Sequence, residues 1–256
     1  MRETVRREPG ACGLARARWR LDDLRAAVPA LAGHSRSGVS RLLRRLRVRL
    51  KRGRLRLHSP DPAYGAKKAA VGRALALARA HPARVSVVYG DEASCYRQPT
   101  LADRWYPVGQ EPTAGLSHRA NTRHRVCGSL DAVTGRVTRV EGSKTGVPEL
   151  KRFLRDLRDA YPGRSLFLVG DNWPVRAHPE VRAEAARRRI RILWLPTYAP
   201  WLNPIEKLWR WLKQDLLHHH AAADRWDELK AGIGRFLDRF VHGSPALLRY
   251  VGLSPD

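Results

Sequence analysis

The spacing of apolar residues changes about one third of the way along this chain. Up to residue 80, apolar positions recur every three or four residues, which is typical of amphipathic helices. Beyond residue 84, short continuous apolar runs predict buried strands, and the amphipathic segments between them predict covering helices. The predicted strands span 84–90, 125–133, 136–142, 165–170 and 189–196, and the predicted helices span 14–30, 39–52, 65–80, 148–161, 178–189, 203–217 and 226–241.

The order of these elements favours one fold class. Three strands come first, and Thr134-Gly135 supplies a hairpin turn between the second and the third. Two helix–strand crossovers and further helices follow. A meander followed by crossovers builds a mixed sheet with helices on its faces. We therefore predict an α/β domain with an RNase H-like mixed sheet, although other α/β folds share this order.

The first 58 residues predict a small all-α segment. Its first helix ends at Pro29, a Gly-containing turn follows at 31–38, and the second helix places Val39, Leu42 and Leu50 on one apolar face. Helix, short turn and basic helix is the layout of a helix-turn-helix, although such pairs also occur in helical bundles. The candidate DNA contacts here are Arg36, Arg41, Arg44, Arg45, Arg47, Arg49 and Lys51.

Two prolines at Ser59-Pro60-Asp61-Pro62 indicate a break in regular structure. We therefore predict three regions. Residues 1–58 form a partial helix-turn-helix DNA-binding region, 59–84 form a linker and connecting helix, and 85–256 form the RNase H-like domain.

Charge points to nucleic acid. The net charge is +25, and residues 1–56 alone carry 17 Lys and Arg against 4 Asp and Glu. Such a basic segment is typical of a phosphate-backbone binder, while the alternatives are a solvated basic surface or RNA binding. No long apolar run predicts a membrane span or a signal peptide, and three scattered cysteines exclude a disulfide framework. We expect a cytoplasmic, nucleoid-associated protein with no membrane contact.

Three acids stand where strands end or a helix begins. Asp91 follows the first predicted strand, Asp171 follows the fourth, and Glu206 lies in the first turn of a later helix. If those two strands are parallel neighbours, the three carboxylates converge and suit Mg²⁺, or a pair of such ions, for phosphodiester attack. Each acid also has a structural interpretation. The aspartates suit turns, Glu206 suits a capping box with Asn203, and Glu92 competes with Asp91 for the role of ligand.

Several sequence blocks resemble one family of enzymes. They are SPDPAY at 59–64, DE at 91–92, RWYPVGQEP at 104–112, GDN at 170–172 and LPTYAPWLNPIEKLWRWLK at 195–213. Together they resemble the IS630/Tc1/mariner transposase superfamily with its DDE catalytic domain. The 34 residues between Asp171 and Glu206 match the spacing of its Tc1-like members. The resemblance covers about 180 residues from residue 59 onward.

The resemblance implies a function and roles for residues. Asp91, Asp171 and Glu206 become the catalytic metal ligands, with Mg²⁺ or Mn²⁺, two ions in number, as cofactor, and Glu92 becomes a neighbour that binds no metal. The implied activity is cleavage of double-stranded DNA at the inverted-repeat ends of a transposon and joining of those ends to target DNA at TA dinucleotides. A homodimer is implied because two ends must be held together.

Some residues depart from the family pattern or have an open role. Trp173 stands where members carry a small residue, and the DNA-binding region is short, which predicts a truncated start. Arg210 and Lys213 lie beside Glu206 on one helix and either contact DNA phosphates or are solvated. We expect at least two of Trp105, Trp201 and Trp209 in the core. His218, His219 and His220 point in different directions on a helix, so we do not expect a metal site.

Three competing functions remain open at this point. A non-catalytic, truncated transposase remnant would bind DNA and cut nothing, and another RNase H-like nuclease would cleave without strand joining. A basic structural or RNA-binding protein would leave the placement of the three acids unexplained.

Overall fold

The computed structural model describes residues 1–51 and 58–254. The chain divides into two compact units, Met1–Arg56 and Leu57–Asp256. Within the described ranges, no helix is long and apolar enough to cross a membrane.

The first unit contains three short helices around a small core. They are α1 (Arg2–Arg6), α2 (Leu21–Ala27) and α3 (Arg36–Arg45). Leu24, Leu31 and Val39 form the buried centre of this unit. The backbone N–H of Gly38 donates to Ser35 Oγ at 3.1 Å, which caps the start of α3. The predicted pair of helices is therefore present, and each helix is shorter than predicted.

The basic helix ends at Arg45, so the predicted helix over 39–52 was too long. Arg47 has a left-handed φ of 55°, and Arg49 and Lys51 lie outside any helix. Leu50, predicted on the apolar face, is fully exposed at 103%. A helix is stabilised when its apolar face packs against a neighbouring element. Among the described residues of this unit, no such neighbour covers Leu50. Residue 52, the predicted end, lies outside the described residues.

The second unit is built on a five-stranded mixed sheet in the order β3-β2-β1-β4-β5. Its strands are β1 (Val85–Tyr96), β2 (Arg123–Asp131), β3 (Val137–Gly142), β4 (Ser165–Gly170) and β5 (Ile190–Trp194). β1 pairs antiparallel with β2 and parallel with β4. The predicted RNase H-like mixed sheet is confirmed. The first and fourth strands are parallel neighbours, which is the condition on which the expected convergence of the acids depended.

Helices cover both faces of this sheet. They are α4 (Tyr64–Ala80), α5 (Val147–Ala160), α6 (Pro179–Arg187), α7 (Ile205–Leu212), α8 (Trp226–Asp238) and α9 (Pro245–Val251). Side chains alternate between faces along a strand. Val87 therefore packs in the core that includes α4, α7, α8 and α9, whereas Val88 packs in the core of α5 and α6.

Three elements of this unit differ from prediction. β1 continues to Tyr96 instead of ending at residue 90, because residues 88–96 remain paired with β2 through the two acids. The predicted helix over 203–217 changes after α7 into a π-helical turn at Lys213–Leu217. α9 was not predicted.

The predicted linker stretch at 59–62 belongs to the second unit and is hydrogen-bonded within it. Ser59 Oγ donates to the backbone oxygen of Thr197, and the Thr197 N–H donates to Asp61 Oδ2 at 2.9 Å. Lys67 Nζ lies 2.7 Å from the same carboxylate oxygen. These bonds form a clasp between Asp61 and Thr197, so residues 59–61 do not act as a free tether.

The connection from β1 to β2 carries an exposed segment at 101–116. Trp105 and Val108 in this segment are fully exposed, at 101% and 104%. Its two ends are hydrogen-bonded to other parts of the second unit. The backbone N–H of Thr100 donates to Leu217 O at 3.0 Å, and Ser117 Oγ donates to Asp224 Oδ1 at 2.5 Å.

Candidate active site

The three predicted acids line one open depression of about 400 Å³ at one edge of the sheet. Asp91 lies within β1, paired with Gly128 of β2, instead of after the strand as predicted. Asp171 follows β4 directly, and Glu206 lies in the first turn of α7. Because β1 and β4 are parallel neighbours, both aspartates reach the same edge.

Asp91 is held by a buried tryptophan. Trp209 Nε1 donates to Asp91 Oδ2 at 3.0 Å, and Trp209 is 2% exposed. Burial raises the pKa of Asp91 to about 7, and the negative charges of Glu206 and Glu92 act in the same direction. A carboxylate with this pKa is poorly compensated by the protein alone, so a cation at the depression would stabilise its ionised form.

Asp171 is the more exposed aspartate, with 55% of its side chain accessible. A buried arginine, Arg176, donates from Nη1 to Asp171 Oδ1 and to the Asp171 backbone oxygen, the latter at 3.3 Å. The backbone N–H of Trp173 also donates to Oδ1 at 3.3 Å, which is the local bond that a turn aspartate makes. The turn interpretation therefore describes one bond of Asp171 and leaves the bond to Arg176 unexplained.

Glu92 does not line the depression. It lies on the opposite face of β1 from Asp91, where its side chain is 10% exposed. Arg176 Nη2 donates to Glu92 Oε1 at 2.6 Å, and Cys127 Sγ lies 3.7 Å from the same oxygen. Burial raises the pKa of Glu92, and the charge of Arg176 lowers it in part. Glu92 therefore bonds Arg176 on the opposite face of β1 and does not reach the depression that the three acids line.

Glu206 is free of the capping role that the sequence allowed. α7 has Pro204 at its N-cap, and no side chain caps it. The Asn203 side chain instead donates from Nδ2 to the Gly90 backbone oxygen at 3.3 Å. That bond ties the start of α7 to β1, one residue before Asp91, and brings Glu206 to the depression.

Arg210 and Lys213 lie on the exposed side of the helix that carries Glu206. Burial raises the pKa of Glu206, the charges of Lys213 and Arg210 lower it, and the charge of Asp171 raises it. Both cations are therefore close enough to affect the Glu206 carboxylate. The sequence prediction that they contact DNA phosphates stays a prediction.

The donor set at the depression fits a hard divalent cation. Among the described residues, no three His, Cys, Asp or Glu side chains are close enough together to hold one ion between them. Mg²⁺ commonly takes one or two carboxylates and keeps several waters, so three separated carboxylates suit it. The buried Asn203 Oδ1 also lacks a hydrogen-bond donor among the described residues, and Asn203 lines the depression.

The sequence analysis missed Arg176, the bond of Asn203 to Gly90 and the contact made by Trp209. Only Trp209 of the three tryptophans is buried, since Trp105 is fully exposed and Trp201 is 43% exposed. The expectation of two core tryptophans was therefore wrong. A signal for Trp209 existed, because it follows Glu206 by three residues and so lies near the same helix face. Arg176 offered no signal in a chain so rich in arginine.

Two of the three consecutive histidines, His218 and His219, fix one end of the exposed segment. His218 Nδ1 lies 2.7 Å from Thr100 Oγ1. His219 Nε2 lies 3.0 Å from the Ala102 backbone nitrogen. The His220 ring accepts from the Ala222 N–H at 3.2 Å. Each ring has a different partner.

The predicted DNA contacts of the first unit are surface residues. Arg41, Arg44 and Arg45 are exposed on α3. Arg36 donates from Nε to Asp22 Oδ2 at 2.8 Å, so its charge is partly offset. Arg47, Arg49 and Lys51 are exposed beyond the helix. Contact of these residues with DNA stays a prediction.

A family model described as DDE superfamily endonuclease matches residues 86–230, more than half of the chain. A relative from Shigella sonnei, the insertion element IS630 uncharacterized 39 kDa protein, is 27% identical over 235 residues. The match covers 90% of this chain and 67% of that protein.

The fold is similar to that of solved transposase structures. The Mos1 transposase paired-end complex with left transposon end gives a TM-score of 0.61 at 17% identity, over 94% of this chain and 76% of that one. The Mos1 mariner paired end complex with Mn gives 0.61 at 19% identity, over 91% and 73% of the two chains. A pre-cleavage Mos1 transpososome gives 0.55 at 18% identity, over 94% and 79%.

Proposed function

Because this chain belongs to the DDE superfamily endonuclease family, we propose that it is a DNA transposase of the IS630/Tc1/mariner kind. It cleaves phosphodiester bonds at the inverted-repeat ends of its own element and joins the freed 3′-hydroxyl ends to target DNA at TA dinucleotides. The observation that carries the proposal is the convergence of Asp91, Asp171 and Glu206 on one open depression.

The residues present would hold Mg²⁺ or Mn²⁺ through the three carboxylates, and two ions are proposed. When bound, such ions supply charge neutralisation and an activated oxygen nucleophile for phosphodiester attack. The protein contributes positioning, because phosphoryl transfer requires little covalent chemistry from side chains. Trp209 fixes Asp91, and Asn203 fixes the start of the helix that carries Glu206. Structures of the related Mos1 transposase with Mn and with Mg support this choice of metals.

Two groups of cationic residues bind different parts of the DNA. Arg210 and Lys213, near Glu206, contact phosphates of the cleaved strand. The arginines of α3 contact the inverted repeat. We also propose that the active assembly is a homodimer on DNA inside the cell, since two transposon ends must be brought together before joining.

The test uses a plasmid that carries the repeats flanking the gene, incubated with full-length protein and Mg²⁺ or Mn²⁺. We expect cuts at the repeat ends that disappear with EDTA and in Asp91→Ala, Asp171→Ala and Glu206→Ala. Asp159→Ala removes an exposed acid of α5 and is the matched control, with activity unchanged.

The products distinguish the proposed function from its two rivals. Joining of the cut ends to a second DNA supports a transposase, whereas cutting without joining indicates a nuclease. Binding without cutting by the wild-type protein would contradict the enzyme assignment and favour a DNA-binding remnant.

A further inference from the structure

A buried arginine, Arg176, is bonded to Asp171 at the depression and to Glu92 outside it, and we propose that Arg176 is a positioning residue that orients Asp171 for metal binding. The inference rests on the proposed function because it concerns the same carboxylate. Arg176 is 3% exposed and bonds through both terminal nitrogens. Nη1 donates to Asp171, and Nη2 donates to Glu92 Oε1 at 2.6 Å.

The bonds to Asp171 favour one of its two carboxylate oxygens. Oδ1 accepts from Arg176 and from the Trp173 backbone N–H. Oδ2 accepts no hydrogen bond from the described residues, and the side chain is 55% exposed at the depression. One oxygen is thereby held while the other stays available to a cation. Hydrogen bonds to the non-ligating atoms of a metal ligand commonly fix its orientation.

The guanidinium is confined by Asp171, by Glu92 and by the backbone at Gly170. Glu92 holds Nη2, and Cys127 Sγ lies 3.7 Å from the same Glu92 oxygen. Gly170 lies beneath the group, where an added Cβ would come within 2.7 Å of Arg176 Nη1. This arrangement gives Glu92 a role other than metal binding, because Glu92 holds Arg176 in place.

A positioning role differs from simple charge compensation in its consequences. If Arg176 only offset the charge of Glu92, lysine would replace it without effect. Glutamine would then leave a more negative site that binds cations more tightly. A positioning role requires the planar fork of arginine, which a lysine ammonium cannot reproduce.

The experiment measures Mn²⁺ binding to the full-length protein without DNA, by the loss of the free Mn²⁺ signal in electron paramagnetic resonance. Arg176→Lys and Arg176→Gln are expected to bind Mn²⁺ about 10- to 100-fold more weakly than wild type. Arg182→Gln, which removes an exposed arginine of the nearby helix α6, is the matched control and should bind as wild type does. Equal or tighter binding in the Arg176 variants would overturn the proposal.

Loss of Arg176 leaves Glu92 buried without its partner, so folding needs its own control. Glu92→Gln combined with Arg176→Met removes both charges, and thermal unfolding reports whether the double variant is folded. We expect it to fold and to bind Mn²⁺ weakly, whereas wild-type binding would overturn the positioning role.

The proposed function fails separately from this inference. If wild type binds Mn²⁺ but never cuts repeat ends, the transposase assignment fails while the Arg176 measurement still stands. If wild type cuts and Arg176→Lys matches it in binding and in half-saturating Mn²⁺, the positioning role alone fails.

Discussion

Asp91 and Asp171 each follow a glycine, and the two glycines, Gly90 and Gly170, pack against different neighbours. A Cβ on Gly90 would lie 2.7 Å from Leu168 Cδ1, and a Cβ on Gly170 would lie 2.7 Å from Arg176 Nη1. Gly128 likewise leaves room for the Trp209 ring, because a Cβ there would lie 2.8 Å from Trp209 Cη2. The absence of a side chain at Gly128 and Gly170 lets Trp209 and Arg176 reach Asp91 and Asp171, whereas Gly90 leaves room for Leu168.

Gly170→Ala therefore tests the packing beneath Arg176. We expect it to lower the free energy of unfolding by about 1–3 kcal/mol, because the added methyl group displaces a tethered guanidinium. Gly72→Ala is the matched control. Gly72 lies in α4 with open space around it, so alanine there should raise stability by about 0.5–1 kcal/mol. Urea unfolding measures both, and a neutral Gly170→Ala would contradict the packing described here.

Because of Asp91, the free energy of unfolding of the metal-free protein depends on pH. Its pKa of about 7 in the folded protein lies above its ordinary value of 3.8. Folded protein thus binds more protons than unfolded protein between those values, and the free energy of unfolding falls as pH rises through them. In EDTA, Asp91→Asn should be more stable than wild type at pH 8, by on the order of 4 kcal/mol.

The stability difference between Asp91→Asn and wild type should shrink toward pH 4. Urea unfolding at several pH values measures it, and added Mn²⁺ should stabilise wild type but not the variant. A difference that stays constant with pH would contradict the shifted pKa of Asp91.

At the scale of whole elements, apolar spacing predicted all five strands and most of the helices. It failed where polar residues continue a strand. Asp91 and Glu92 suggested the end of β1, yet both remain paired with β2, and they point to opposite faces of the sheet. Each finds a donor from a distant part of the chain, Trp209 for one and Arg176 for the other. Local pattern carries no information about such donors, so the strand was predicted too short.

The Asp61 clasp is a feature of one connecting segment. Hydrogen bonds from Lys67 and from the Thr197 N–H lower the pKa of Asp61 to about 2, below its ordinary value of 3.8. The clasp therefore stabilises the fold above pH 4 and is lost as pH falls toward 2. Asp61→Asn should lower the Tm at pH 7, with a smaller difference at pH 3, as measured by calorimetry. Asp103→Ala, at an exposed acid, should leave the Tm unchanged at both pH values.

The early end of α3 separates two apolar residues that the sequence grouped together. Val39 is fully buried, whereas Leu50 is fully exposed. Val39→Ala should destabilise the first unit by about 2 kcal/mol, while Leu50→Ala should change its stability by less than about 0.5 kcal/mol. Hydrogen exchange of peptides from residues 1–51 measures both effects in the full chain. Equal effects would mean that the helix continues to Leu50.

For the whole molecule, the charge of +25 predicts a strong salt dependence of DNA binding. Arg41, Arg44 and Arg45 are exposed together on α3. Replacing all three with Gln should reduce the slope of log K against log salt by roughly 2–3, because each phosphate contact contributes about 0.9. Binding of the inverted-repeat duplex by fluorescence anisotropy at several salt concentrations gives this slope.

A variant with equal charge loss elsewhere provides the control for that measurement. Lys68, Arg73 and Arg79 are exposed on α4, and their replacement by Gln removes the same three charges. A small change in slope is expected there. Equal slopes for the two triple variants would mean that net charge, and not the α3 surface, governs binding.

Some features of the molecule were beyond prediction because they depend on assembly of the whole chain. Asp171 and Arg176 follow β4 while Glu92 lies in β1, and only the parallel pairing of β1 with β4 brings them together. The three acids could be singled out from the sequence, since each stands beside an element whose type the apolar pattern predicts and each falls in a block that resembles the family. Their role as metal ligands stays a prediction. Their partners have no such marker in the sequence.

The exposed segment at 101–116 has a consequence for how this chain tolerates change in length. Its ends are fixed at Thr100 and Ser117, so changes in the residues between these two anchors do not shift the strands of the sheet. Residues added or removed near Val108 would alter neither the register of β1 with β2 nor the positions of the acids. Among descendants of this gene, insertions and deletions should accumulate in the middle of the segment, while its two anchored ends keep their spacing to the strands.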